Sequence, residues 1–375
     1  NLITLYHLIF VVKIKNNMKV CIIGNGLSSL TLAKALINEN IYVDIFTQKK
    51  NNLPNKSRTI GISKSNIDFF NNNILNIDKL TWKLKNIEIF TDNLKNEKLL
   101  NFRSKEDQLF SILKNYQLYE LLEKKILKNK FFKKKNLRMK VSSIKNYDIL
   151  INTDYFHPFI KKFFSKKIVK KYNSYAYTTI IKHEKILNNT ATQIFTKYGP
   201  LAFLPISENE TSIVYSFFNT QEVKNENVKK LIRSYNLKYK DINFQKIHKF
   251  ELKSLSLRSY YQDKILAFGD LLHKIHPLAG QGFNMTIRDV RILLEIIKKK
   301  NSLGLPLDSS VNKEFEERLR HKNLIFSSGI DLIYEFFNLE RKSRNNFLSK
   351  TVQFLGKNST INGVFIKIAD KGFIL

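Results

Sequence analysis

Residues 19–46 read KVCIIGNGLSSLTLAKALINENIYVDIF, and this stretch decides the fold. An apolar run, Val20–Ile23, is followed by the glycine turn Gly24–Ser29, by an amphipathic stretch and by a second apolar run, Tyr42–Phe46. Runs of this length and period predict a buried strand, a helix and a second strand. Strand, glycine turn, helix and strand in this order predict a Rossmann-like dinucleotide-binding fold.

Each position of the turn has a physical role in that fold. Gly24 permits the tight turn, and Gly26 lets the backbone approach a pyrophosphate at the positive end of the helix. Ser29 stands at the third glycine position, where a small side chain still allows the helix to approach the strand. The acidic residue expected after the second strand, to hold a ribose hydroxyl, is replaced by Thr47 or Gln48.

A second informative stretch, residues 265–284, reads ILAFGDLLHKIHPLAGQGFN. It predicts a strand that ends in Gly269-Asp270, a loop that ends in Gly280-Gln281-Gly282, and a long helix. The apolar residues of that helix recur at core spacing: Ile287, Val290, Leu294 and Ile297. Between the two stretches, Tyr175–Phe218 has the alternating pattern of antiparallel strands.

Composition limits the classes of function. The 375 residues carry a net charge of +32, but the lysines are spread along the whole chain rather than clustered as a nucleic-acid face requires. The one cysteine, Cys21, excludes an internal disulfide and favours a reducing, cytoplasmic setting. His273 and His276 are three residues apart, but no carboxylate or cysteine completes a metal site with them, so no metal site is expected.

The pattern GD…H..HP.AGQG.N…..DV, completed by Asp289 and Val290, is similar to that of the ubiquinone-biosynthesis hydroxylases and the wider para-hydroxybenzoate hydroxylase class. Residues 57–63 resemble the GRAIALS-like segment of that family, and residues 195–206 resemble its FT..GPLA.LPL strand pair. Residues 147–154 occupy the place of its D.LVGADG motif, with Tyr155 in place of the last glycine.

The resemblance implies FAD as cofactor and NAD(P)H as electron donor. Asp270 would accept a hydrogen bond from the ribityl chain, and the amides of Gly280 to Phe283 would face the N1 and C2-carbonyl edge of the flavin. Arg58 would lie by the flavin and the substrate opening, and His276-Pro277 would shape the loop over the flavin ring. The remaining residues expected to hold the cofactor are Gly24, Gly26, Ser29, Asp154, Gly269 and Asn284.

The activity that the resemblance implies is hydroxylation of a polyprenylated phenolic ring in ubiquinone biosynthesis. O2 would be activated as a flavin C4a-hydroperoxide and would transfer one oxygen atom. Because this substrate class is lipophilic, the resemblance implies a peripheral position on the inner membrane. It also implies other ubiquinone-biosynthesis proteins as partners. No nucleic-acid partner is expected.

The resemblance also implies how the chain is divided. The FAD-binding domain would comprise residues 18–68, 103–168 and 259–310, and the substrate-binding sheet residues 69–102 and 169–258. Residues 311–375 would form C-terminal helices. Residues 1–17, which are largely apolar but too short to span a membrane, would be an extension before the start at Met18.

The sequence leaves two other interpretations of the function open. One is a flavin-binding partner of the pathway that has lost turnover, indicated by Thr47 and Tyr155. The other is a different flavoenzyme, such as a prenyl reductase or a halogenase; the halogenase motif needs two tryptophans, and this chain has only Trp82.

Overall fold

The structure is a computed structural model that describes residues 18–47, 55–94, 97–103, 108–136, 146–218, 222–276, 280–343, 346–358, 360, 363–364, 366–367 and 370. The expected extension, residues 1–17, and Pro277 lie outside the described residues.

A mainly parallel sheet carries the glycine turn. Within the described residues it has six strands, numbered here in chain order and given in sheet order: β16 (Tyr261–Gln262), β17 (Ile265–Ala267), β9 (Ile149–Asn152), β1 (Lys19–Ile23), β2 (Tyr42–Thr47) and β8 (Phe132–Asn136). Strand β1 pairs in parallel with β2 on one side and β9 on the other. Residues 20–23 are completely buried, as expected for a central strand covered on both faces.

Three helices build the core around this sheet: α1 (Leu27–Asn38), α3 (Asn115–Leu127) and α6 (Gly282–Ser302). Helix α1 packs against both α3 and α6. Leu118, Leu122 and Ile126 of α3 are buried and Lys124 and Lys125 are exposed, so α3 is an amphipathic helix with its lysines on the solvated side.

A larger sheet forms the second layer. Its described strands, in sheet order, are β18 (His273–Lys274), β15 (His248–Leu257), β10 (Lys167–Lys182), β13 (Glu210–Phe217), β12 (Gly199–Pro205), β11 (Thr190–Thr196), β5 (Asn86–Thr91) and β6 (Lys98–Arg103), with β14 (Asn243–Phe244) paired to β10. Neighbouring strands run antiparallel except β5 and β11, which are parallel. Phe203, Tyr215 and Phe217 pack under helix α5 (Asn225–Ser234), so they are part of the sheet core.

A small sheet joins the two layers. It consists of β4 (Trp82–Leu84), β7 (Phe110–Lys114) and β3 (Thr59–Ser63), and β3 leads into α2 (Lys64–Asn73). The hydroxyls of Thr59 and Ser212 share a hydrogen bond of 2.7 Å, and Lys114 forms a 2.7 Å ion pair with Glu210. The segment containing Arg58 is therefore held between the parallel sheet and the larger sheet.

The rest of the described chain is helical. Short helix α4 (Phe159–Phe163) leads into β10, and helices α7 (Ser309–Ser343) and α8 (Phe347–Lys357) follow α6. Three side chains of α7 enter an apolar cluster with β10, β15 and α6, namely Phe326, Ile330 and Tyr334. This is the predicted arrangement of a Rossmann-like layer, a largely antiparallel second sheet and C-terminal helices.

Candidate flavin site

The turn between β1 and α1 is shaped by two glycines with different surroundings. Gly24 has φ +111°, and a Cβ there would lie 2.3 Å from Thr153 Oγ1. Gly26 is the N-cap of α1, and a Cβ there would have no atom within 4 Å. Gly24 is thus required by the fold, whereas Gly26 leaves the helix N-terminus open to a ligand.

Ser29 replaces a glycine without loss of close packing. Its buried hydroxyl shares a 2.6 Å hydrogen bond with the Thr153 hydroxyl, which itself lies 2.9 Å from the carbonyl oxygen of Ile23. These contacts join α1, β1 and the end of β9. The third fingerprint position therefore serves helix–strand approach, as the sequence predicted.

The start of α1 favours an anion. The first amides of a helix have no carbonyl partner four residues earlier, and the helix dipole makes this end positive. The first turn of α1 contains no acidic side chain that would offset this charge. Asn25 donates a 2.6 Å hydrogen bond to the Tyr119 hydroxyl, which fixes the turn on α3.

Strand β2 contains an acidic residue, Asp44, but its carboxylate is bonded to other side chains of the protein. Asp44 is buried and accepts hydrogen bonds from Lys135 at 2.7 Å and from the Tyr147 hydroxyl at 2.6 Å. Burial alone would raise the pKa of Asp44, but these two hydrogen bonds and the charges of Lys135 and Lys19 lower it. Asp44 is therefore a structural carboxylate, and the strand ends at Thr47 without a ribose acid.

The second glycine turn reaches the first one. Gly269 begins a 3-10 turn directly after β17 with φ +67°, and a Cβ there would lie 2.7 Å from the Cβ of Ser28. The Gly269-Asp270 turn therefore lies against the start of α1. Asp270 itself is exposed at this junction. Segments far apart in the sequence thus converge, as the resemblance required.

The loop segment that follows β9 lies against the same turn. A Cβ on Gly24 would lie 3.3 Å from the amide nitrogen of Asp154. The Asp154 carboxylate accepts a 2.9 Å hydrogen bond from the Phe156 amide, and the Asn152 side chain accepts one of 3.0 Å from the Asp154 amide. The segment that occupies the place of the D.LVGADG motif therefore ends in a compact turn beside Gly24. The exposed Tyr155 stacks under the Lys167 ammonium.

The start of α6 meets strand β3. A Cβ on Gly280, which has φ +63°, would lie 3.6 Å from the Gly61 amide nitrogen, and one on Gly282 would have nothing within 4 Å. Gln281 is buried and accepts a 3.2 Å hydrogen bond from Arg288. Phe283 is buried in the main core. The first amides of α6 thus form a second helix N-terminus with an open glycine.

Asn284 ties this helix start to β3. Its side-chain oxygen accepts hydrogen bonds of 2.9 Å from the Ser63 amide and from Asn66, and its side-chain NH2 donates to the Gly61 carbonyl at 3.0 Å. The amide group is fully buried, so its contacts are to protein. Asn66 has no motif signal in the sequence, and only the fold reveals it.

Arg58 lies at the edge of this junction. Its backbone is held by hydrogen bonds to Asn55 and Asn115, whereas its side chain is exposed. Burial lowers the pKa of Lys274, the charges of Lys253 and Arg58 add to this, and Asp270 opposes it. Arg58 is therefore electrostatically coupled to the strand that follows Asp270.

His276 is a buried histidine with a neutral side chain, packed between two tyrosine rings. It packs edge-to-face against Tyr172 at 5.0 Å and in a tilted arrangement against Tyr334 at 4.6 Å between ring centroids. Neither ring nitrogen has a hydrogen-bond partner among the described residues. Burial, reinforced by the charge of Lys170, lowers the pKa of His276 to about 3.

His273 differs from His276 because it has an acidic partner. Its Nε2 lies 2.5 Å from Oδ2 of the fully buried Asp289, and Asn323 donates a 3.2 Å hydrogen bond to the other carboxylate oxygen. Burial alone would lower the pKa of His273, but Asp289 outweighs it and raises that pKa. Asp289 is sixteen residues from His273 in the sequence and lies inside α6, so only the fold shows that these two side chains are partners.

Two other features are absent from the part of the chain that the structure describes. It holds no cluster of three or more His, Cys, Asp or Glu side chains arranged to bind a metal. It also holds no helix with the length and apolar character needed to cross a membrane.

Comparison with known proteins supports a flavoprotein. Residues 166–300 match the family model described as FAD binding domain. Over 153 residues the chain is 33% identical to the 3-demethoxyubiquinol 3-hydroxylase of Escherichia coli K12, in an alignment that covers 39% of each chain. Over 196 residues it is 29% identical to the ubiquinone biosynthesis monooxygenase COQ6 of Xenopus tropicalis, covering 41% of this chain and 42% of the relative. The alignments thus span about two fifths of these relatives.

Solved structures establish the fold over nearly the whole chain. The p-nitrophenol 4-monooxygenase PnpA of Pseudomonas putida superposes with a TM-score of 0.77 at 11% identity, covering 96% of this chain and 100% of that one. HpxO of Klebsiella pneumoniae, complexed with FAD and uric acid, superposes with a TM-score of 0.73 at 12% identity, covering 94% of this chain and 97% of that one.

The class that these findings define is a protein with an FAD binding domain match at residues 166–300 and a fold shared with the monooxygenase PnpA and with the FAD complex of HpxO. Within that class, the resemblance to the ubiquinone-biosynthesis hydroxylases is confirmed by the sequence relatives.

Proposed function

We propose that this chain is an FAD-dependent monooxygenase that hydroxylates a polyprenylated phenolic ring in ubiquinone biosynthesis, using NAD(P)H and O2. The observation that carries the proposal is the convergence of three segments. The Gly269-Asp270 turn meets the Gly24–Ser29 turn at Ser28, and α6 packs against both α1 and the 269–271 turn, so that two helices with open N-termini adjoin the same junction.

The residues present fit an extended anionic dinucleotide. Gly26 and Gly282 leave the two helix starts unobstructed, since a Cβ at either would meet no atom within 4 Å. The N-terminus of α1 would hold the pyrophosphate, and Asp270 would accept a hydrogen bond from a ribityl hydroxyl. The amides at the start of α6 would face the edge of the flavin that is negative when reduced.

When bound, FAD would supply the redox chemistry, taking electrons from NAD(P)H and activating O2. The protein would position the phenol and exclude water. His276, held neutral between Tyr172 and Tyr334, would provide an apolar wall that keeps water from the site. Arg58, exposed at the junction of the sheets, would lie at the substrate opening. None of these residues is assigned as an acid or a base.

The proposed substrate class also suggests where the protein is located and which proteins it contacts. A polyprenylated phenol resides in the bilayer, so we propose a peripheral position on the inner membrane, with other ubiquinone-biosynthesis proteins as neighbours. The relatives named for ubiquinone biosynthesis support this assignment.

A second candidate is a flavin-binding partner without turnover. It is favoured by the absence of a ribose acid after β2, because Asp44 is committed to Lys135 and Tyr147. The two candidates differ in one reaction: the enzyme's flavin is reduced by NADPH, whereas the flavin of an inert partner stays oxidised.

The decisive experiment is purification of the full chain, an absorption spectrum and mass analysis of the released cofactor. We expect bound FAD, reduction by NADPH in stopped flow, and a product one oxygen atom heavier than a short-chain polyprenylphenol substrate. A colourless protein that takes up no added FAD would refute the proposal. A reduced prenyl chain without oxygen consumption would instead identify a reductase.

A further inference from the structure

Helix α8 has an outward face that combines aromatic and basic side chains. Phe347 and Phe354 are 68% and 77% exposed, and they are seven residues apart, so they lie on the same side of the helix. Lys350 and Lys357 are exposed on the turns beside them. These four residues are called here the C-terminal face.

The opposite side of α8 is anchored to the protein. Ser349 is buried and donates hydrogen bonds to both carboxylate oxygens of Glu340, at 2.7 Å from its amide and 2.5 Å from its hydroxyl. Gln353 donates hydrogen bonds to the carbonyl of Lys98 at 2.9 Å and to the Glu97 carboxylate at 3.2 Å. Because its inner side is held by β6 and α7, α8 presents the two phenylalanines outward.

Three acidic residues of α7 that precede this face are engaged with other parts of the protein. Asp331 accepts a hydrogen bond from the Tyr172 hydroxyl, Glu335 forms a 2.9 Å ion pair with Lys170, and Glu340 is buried. From residue 341 to residue 369 the sequence has six basic residues and no acidic ones. They are Arg341, Lys342, Arg344, Lys350, Lys357 and Lys367.

We infer that the C-terminal face docks on the surface of an anionic bilayer, with the phenylalanines in the interface and the lysines against lipid phosphates. An amphipathic helix with aromatic residues on one side and lysines beside them binds such surfaces through buried apolar area and charge. A second copy of the chain is disfavoured as occupant, because its matching face would be equally basic. The inference rests on the proposed function in one respect, since a bilayer-resident substrate gives the docking its purpose.

The test is flotation of the full chain with phosphatidylcholine vesicles that contain or lack phosphatidylglycerol. We expect binding that needs the anionic lipid and weakens with salt. The pair Phe347→Ser and Phe354→Ser should lower partitioning at least about tenfold, and the pair Lys350→Glu and Lys357→Glu should do the same. The matched control changes Leu187 and Leu237, 83% and 84% exposed elsewhere, to Ser and should bind normally.

Three outcomes would overturn the inference. They are equal binding to neutral vesicles, variants that bind like the control, and a concentration-dependent dimer in light scattering that the α8 substitutions abolish. FAD content and NADPH oxidation of the same variants, measured with a water-soluble short-chain phenol, keep this test separate from the proposed function. Docking can fail while both remain normal, and both can fail while docking is retained.

Discussion

Asp270 is the side chain on which cofactor affinity should depend most. It is exposed where the Gly269 turn meets the start of α1, so its removal should not disturb the core. A hydrogen bond to a charged acceptor contributes about 1.5–3 kcal/mol, so Asp270→Asn should weaken FAD binding roughly 10- to 100-fold. Flavin fluorescence titration measures this. Asp263→Asn, in the exposed turn before β17, should bind FAD normally, and equal losses in both variants would contradict the assignment.

The two glycines of the first turn should fail in different ways. Gly24→Ala places a Cβ 2.3 Å from Thr153 Oγ1 at φ +111°, and it should lower the free energy of unfolding by at least about 2 kcal/mol. Gly26→Ala meets no atom within 4 Å, so the apoprotein should melt normally while FAD affinity falls. Thermal melting of the apoprotein and FAD titration separate the two effects. A stable Gly24→Ala protein would show that the turn can relax.

At the scale of elements, the attachment of α6 to β3 depends on the side-chain amide of Asn284. Asn284→Ala leaves the Ser63 amide and the Gly61 carbonyl without their buried partner. Unpaired buried groups are costly, so the free energy of unfolding should fall by about 2–4 kcal/mol. Urea unfolding measures the change, with the exposed Asn227→Ala on α5 as control. A loss no larger than in the control would refute the proposed attachment.

The segment around β18 should give stability two opposite pH dependences. The pKa of His276 is lowered to about 3 from 6.5, so its contribution is lost as pH falls below 6.5 towards 3, because only the unfolded chain is then protonated. The pKa of His273 is raised by Asp289, so its contribution is present below 6.5 and is lost as pH rises through the folded pKa.

Urea unfolding across pH checks this assignment. His276→Phe should flatten the acid side of the stability profile, and His273→Gln should flatten the alkaline side. The two variants thus serve as controls for each other. Identical profiles for both variants and the parent would show that neither histidine contributes in this way.

For the whole molecule, the one cysteine is a probe of global opening. Cys21 is completely buried in the central strand β1, and burial raises the pKa of its thiol. A thiol reagent should therefore label it only after unfolding. FAD at about 100 times its Kd should slow labelling roughly 100-fold, because it binds only the folded state. Labelling of the native protein at the rate of a free thiol would contradict the position of β1.

The sequence by itself determined the local elements: strand, glycine turn and helix at Gly24–Ser29, and the strand and helix on either side of Gly269-Asp270. Hydrophobic periodicity and glycine spacing involve residues that are neighbours in the sequence, so these elements can be predicted without knowledge of the fold. Only the tertiary structure decided the partners, such as Asn284 with Ser63, His273 with Asp289 and Asp44 with Lys135. Such pairs are set by how helices and strands pack, and no local pattern encodes which distant polar group will satisfy a buried one.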